Sequence, residues 1–184
     1  MKPEATFPKR SRRPTRRAAM SVWGIGLAIA LTGCSLGGSE GQSKESADAA
    51  LSAIPGVSEG SVNTESMVSG LVEETRTTIE VHVETGFSVP DPETLVDYLV
   101  GVAWSTKTKE PTSTVQIIVL SDPQISIGDA VEAGPWEHPG VDPNSPEGAA
   151  VGADEVKERF GDWPGEVPEL PDGLIVGPTP EPTP

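Results

Sequence analysis

Residues 76–120 constrain the fold more than any other stretch of the chain. In Arg76–Thr85 (RTTIEVHVET), Ile79, Val81 and Val83 alternate with Thr78, Glu80, His82 and Glu84. That period of two predicts a strand with one dry and one wet face. Then comes SVPDPE, in which Asp91 suits a helix N-cap and Pro92 the first helical position. Leu95, Val96, Leu99, Val102 and Ala103 line one helical face as far as about Ser105. Thr112–Leu120 (TSTVQIIVL) is the most apolar strand and is therefore expected at the centre of the sheet. Strand, helix and strand in this order make a βαβ unit, which requires a parallel pair with a helix packed on it.

The flanks add smaller elements. Ala47, Ala50, Leu51 and Ile54 predict a short amphipathic helix ended by Pro55-Gly56, and Val57–Val68 reads as a weaker strand. Ile127–Ala133 and Ala153–Phe160 read as short helices, separated by a Pro, Gly and acid-rich loop over Gly134–Gly152. Residues 164–184 are largely Pro, Glu, Gly and Thr, and are expected to form an extended, disordered tail in which Leu174–Val176 could add an edge strand. The predicted fold class is α+β: a small two-layer sandwich, with a mixed sheet carrying helices on one face. Element order makes a ferredoxin-like arrangement the nearest template by analogy. The domain is expected to span 47–163, between a disordered N-terminal tether and the Pro-rich tail.

Charge divides the chain sharply. Residues 1–33 hold seven Lys and Arg against Glu4 alone, whereas everything from Cys34 onward holds 6 basic and 27 acidic residues, a net charge of −21. Such a change of sign separates a targeting head from a differently built body. The acidic body excludes nucleic acid as a partner, since phosphate neutralisation needs clustered Lys and Arg.

Behind the basic leader, Val22–Leu31 (VWGIGLAIAL) is a ten-residue apolar run, followed by Leu31-Thr32-Gly33-Cys34. A spanning helix needs about 20 apolar residues, so this run has the length of a signal-peptide core. Cys34 is the only cysteine in the chain. With Leu31, Thr32 and Gly33 it resembles the lipobox of bacterial lipoproteins, a resemblance that covers residues 1–34 only. The resemblance implies a diacylglyceryl thioether on Cys34 (palmitate being a usual acyl chain), cleavage before it, and residence on the extracytoplasmic face of the cell membrane. Two acyl chains give stable anchoring, where one holds only marginally. Residues 1–33 would then be the signal peptide, and 34–46 the lipidated Cys34 with a Gly/Ser-rich tether. Thr15–Met20 also loosely resembles a twin-arginine signal, so the export route stays open between the general secretory and twin-arginine systems.

The chain lacks G-x-S-x-G, H-E-x-x-H, C-x-x-C and a phosphate-binding Gly loop ending in Gly-Lys-Ser/Thr. His82, between Glu80 and Glu84 on one strand face, offers too few ligands for a metal by itself. His138 lies in a loop, and Asp142, Asn144 and Glu147 alternate as oxygen ligands might, with Pro146 breaking the EF-hand pattern. No catalytic residue, metal site or cofactor is therefore expected.

Only eight aromatic residues occur, four of them Trp. Trp136 and Trp163 sit in Pro/Gly surroundings and are the candidate binding surface, since loop indoles offer flat faces to partner side chains or sugar rings. Trp104, at the end of the long helix, is expected in the core. These features together predict an anchored, non-enzymatic extracytoplasmic interaction module, its partner an envelope protein or cell-wall glycan. The alternative is a divalent-cation-binding surface protein, and a tethered carboxylate-dependent hydrolase ranks last.

Overall fold

The structure, a computed structural model, describes residues 41–178. The predicted signal peptide, the lipobox with Cys34, the first part of the tether and residues 179–184 lie outside them. Four helices, α1 (Lys44–Ser52), α2 (Pro92–Ser105), α3 (Ile127–Ala133) and α4 (Ala153–Phe160), accompany five strands: β1 (Val57–Ser69), β2 (Val72–Val83), β3 (Thr114–Leu120), β4 (Gly140–Val141) and β5 (Gly148–Gly152). The strands form one mixed sheet in the order β1-β2-β3-β5-β4, with β3 at its centre as its apolar composition requires. β2 and β3 are parallel, joined by α2; every other pair is antiparallel. The two-layer α+β architecture is thus as expected. The ferredoxin-like analogy stops at the layers, because this sheet has one βαβ crossover between adjacent strands rather than two split ones.

Alternation along the strands decides which face is dry. Val62, Ile79, Val81, Val115, Ile117, Val119, Ala149 and Val151 all point into the helical layer and are buried. They meet Leu51 and Ile54 below α1, Leu95, Leu99 and Trp104 of α2, Val131 of α3 and Val156 of α4. Helix α2 is buried along nearly its whole length and forms the spine of that layer. Its start is fixed as the sequence predicts: Asp91 Oδ1 accepts from the Thr94 amide at 3.1 Å, behind Pro92.

Helix α1 begins at Lys44, inside the segment expected to be tether, because Ser43 caps it by accepting from the Ser46 amide. It lies close against β1. A Cβ added at Gly60 would come 2.5 Å from Leu51 Cβ, so only glycine permits this approach. Asp48 Oδ1 then accepts from the Val62 amide at 2.8 Å, closing part of the exposed edge of β1.

Two further expectations need correction. The segment Gly134–Gly152 is not all loop, since it contains β4 and β5. Glycine and alanine dominate β5 (GAAVG), so the alternation of bulky and polar residues that marks a strand is missing; pairing with β3 makes it one. The described part of the tail, residues 164–178, is packed rather than free. It runs back along α2, with Pro168 against Gly101, Leu174 and Ile175 buried, and Val176 bridged to Ser88. Proline-rich composition there signals a backbone held by packing rather than by a ladder. The Leu174–Val176 segment does reach the sheet's company, as an isolated bridge.

Candidate functional site

The three described tryptophans, Trp104, Trp136 and Trp163, are used mainly for packing. Trp104 is 1% exposed and donates its Nε1–H to the Gly161 carbonyl at 3.0 Å. Trp136 is only 6% exposed, so it does not present the flat free ring expected from its loop. The Arg159 guanidinium stands 5.5 Å from its ring centroid and 5.8 Å from that of Phe160, a cation–π arrangement held by an ion pair to Asp97. Trp163 is half-buried against the core, and its Nε1 is enclosed with no hydrogen-bond partner among the described residues. A chain this poor in aromatics uses its large rings for core area.

Beside Trp136, Glu155 of α4 organises the loop. Its carboxylate accepts from the Glu137 amide at 2.9 Å and the His138 amide at 3.2 Å. His138 itself points outward, its Nδ1 3.6 Å from Glu155. Pro135, Trp136, Glu137, Glu155, Glu158 and Arg159 line a shallow hollow of about 230 Å³.

The other sequence candidates are not brought together. His82 Nε2 hydrogen-bonds Glu80 Oε1 at 2.7 Å, while Glu84 lies exposed past the end of β2. Asp142 Oδ1 accepts from both the amide and the side chain of Asn144, which makes a local turn. Those bonds hold the Asp142 carboxyl below its ordinary range, the backbone one contributing most. Among the described residues no three His, Cys, Asp or Glu side chains gather as a metal would need.

What the sequence pointed to least is the uncovered face of the sheet. All four helices pack on one side, so the alternate residues of each strand form an open surface. Its rows follow the register: Glu65–Arg76–Thr114–Gly152, then Asn63–Thr78–Gln116–Ala150, then Ser61–Glu80–Ile118–Gly148. Charge is confined to β1 and β2, whereas β3 and β5 offer Thr114, Gln116, Ile118, Ala150 and glycines. The result is a low-relief, uncharged strip beside a charged one. Alternation in Arg76–Thr85 announced a wet face on β2, but Thr112–Leu120 read only as a central apolar strand, and the small residues that flatten the surface lie in the missed strand β5.

Beyond β3 the hairpin of β1 and β2 continues as a free arm. A second hollow, of about 250 Å³, lies at its root, lined by Glu65, Ser66, Met67, Glu74, Arg76 and Ser113. Lys109 donates to Ser66 Oγ and pairs with Glu73, tying the arm to the segment that follows α2. This ammonium holds the Glu73 carboxyl below its usual 4.5.

No protein-family model matches the chain, and no curated protein or solved structure is found to be similar to it.

Proposed function

We propose that the protein is a bacterial lipoprotein, anchored through Cys34 to the outer face of the cell membrane, whose domain binds an envelope protein through the open face of its sheet. The observation that carries the binding reading is the one-sided helical layer. It leaves Thr78 half-covered beside an uncharged strip that includes Gln116 and Ile118. Such a surface suits a partner that lies flat on it, since depletion of charge at its centre lowers the cost of desolvation. The anchor reading is supported by the basic leader, the ten-residue apolar run and the Leu31–Cys34 box in that order. Burial of Trp136, with Trp163 half-buried, is the reason this reading prefers the sheet to the Trp loops.

Two experiments test this reading separately. Cys34→Ala is expected to leave the mature form absent from membrane fractions; a mutant that still fractionates as lipid-modified protein overturns the anchor. A photoreactive residue at Gln116 of the full chain is expected to capture one dominant envelope protein, and the same residue at Glu158 is not. Equal capture from both positions overturns the sheet-face assignment.

A further inference from the structure

Eight large apolar side chains are exposed among the described residues, and four of them fall in one six-residue stretch: Met67 at 59%, Val68 at 72%, Leu71 at 105% and Val72 at 61%. They occupy the tip of the β1–β2 hairpin, where Ser69 pairs with Val72 and Gly70 turns the chain at φ 66°. β3 begins opposite Arg76 and the segment before it still bonds Thr75, so past Thr75 the two strands form ladder bonds only with each other. The five chain steps from Thr75 to Gly70 carry the tip about 16 Å past the end of the sheet.

Apolar side chains stand on both faces of the tip, with Glu74 across from Met67 and Glu73 across from Val68 marking where the charged part of the arm begins. Residues 67 and 72 belong to the face of the hairpin that continues the open side of the sheet, Val68 to the opposite face, and Leu71 to the turn. A protein partner lying against one face would leave the other wet. An environment that surrounds the tip would bury all four, and exposed apolar groups concentrated in this way mark contact sites.

The position of the tip identifies that environment. The chain comes into the domain at Gly41 and Gln42, where the Gln42 amide donates to the Ser105 carbonyl and Gln42 accepts from the Lys107 amide. From there Thr108 hydrogen-bonds Thr64, Lys109 reaches Ser66 and Glu73, and Thr112 and Ser113 both donate to the Thr75 carbonyl. The chain therefore comes in at the same end from which the arm projects. Val176 and Ser88 sit at the other end, past the last residues of β2. Six residues separate Cys34 from Gly41, seven chain steps that span at most about 25 Å. Four of the six bases that follow Cys34, Lys44, Arg76, Lys107 and Lys109, also stand at this end, where Lys44 pairs with Asp48, Lys109 pairs with Glu73 and Arg76 lies across from Glu65.

We infer that the hairpin tip, Met67, Val68, Leu71 and Val72, dips into the lipid surface to which Cys34 is attached and so fixes the orientation of the domain on the membrane. This rests on the anchor reading above. A lipid chain alone leaves a domain free to tumble, whereas anchor plus tip makes two points of attachment. The arm would then direct the open sheet face sideways along the membrane, toward neighbouring envelope proteins.

The test uses the full chain reconstituted in phosphatidylcholine–phosphatidylglycerol vesicles, with an environment-sensitive fluorescent amino acid in place of Leu71 or, as a control, Val176. The expected result at position 71 is a blue-shifted emission, loss of quenching by aqueous iodide and quenching by spin-labelled lipid. Position 176 is expected to stay open to iodide. A residue-71 probe quenched by iodide as fully as the control overturns the proposal. So does one shielded from iodide yet untouched by the lipid quencher, since a protein or second copy then covers the tip. Vesicle flotation of the unsubstituted chain against Cys34→Ala reads the anchor independently. If both float alike, the anchor reading fails, while quenching by lipid at position 71 still supports the tip and its absence still overturns it.

Discussion

Between Val57 and Thr64 the first strand lies under α1 and beside β2, with Val62 at zero exposure and its amide taken by Asp48. Past Ser66 and the buried Thr75 the same two strands pair just as regularly, but their apolar residues face water. Base and arm thus share a backbone ladder and differ in what covers it. Hydrogen bonds alone add little net stability, so the base is held by burial and the arm by its register and a few tethering polar contacts. A region stable through packing is suited to structure; a ladder with an uncovered apolar end is suited to meeting something else.

That contrast can be broken at the base first. Ile79→Ala removes a fully buried side chain beneath α1 and α2, and is expected to cost about 2–5 kcal/mol in urea unfolding. A loss no larger than that of a surface substitution would mean the base is not the core. Gly60→Ala forces a methyl toward Leu51 and is expected to cost about 1–3 kcal/mol, read by the same titration. Asp48→Ala leaves the Val62 amide on the strand edge without its acceptor, for about 1 kcal/mol. Amide exchange at Val62 should rise with it.

At the tip, Leu71→Asp is expected to change global stability by less than about 0.5 kcal/mol, because the side chain is fully in water. A large loss would show that the tip packs on something within the chain. The smallest effect concerns Glu73. Lys109 lowers its folded pKa, so the pair's contribution is present above the unfolded value and is lost as pH falls through the folded one. By NMR the Glu73 carboxyl should titrate below 4.5, and Lys109→Met should raise that midpoint with little change in melting temperature. High salt should shift it in the same direction.

Much of the fold was legible where packing repeats along the chain. The cap at Asp91 and Pro92, the extent of α2, the helices over Ile127–Ala133 and Ala153–Phe160, and the central place of β3 all followed from local pattern. The boundary of α1 was missed by three residues because Ser43 caps a turn that carries no apolar residue of its own. β5 was missed because its glycines and alanines have no preference a sequence can display. The candidate surface was partly visible: alternation named its residues on β2, but nothing local shows which residues of β3 join them or that no second layer covers them. The hairpin arm was unreadable for a similar reason. Met67, Val68, Leu71 and Val72 look like core residues until the fold leaves them outside.

By itself the sequence determined the α+β class, the βαβ unit and the resemblance to an anchored lipoprotein, since each is written in spacing, capping chemistry or a contiguous motif. Only the tertiary structure decided that Trp136 is buried, that the Pro-rich tail packs along α2, and that the apolar tip and the incoming chain share one end of the domain. Those are relations between residues far apart in the chain, and they exist only once burial has chosen which surfaces meet.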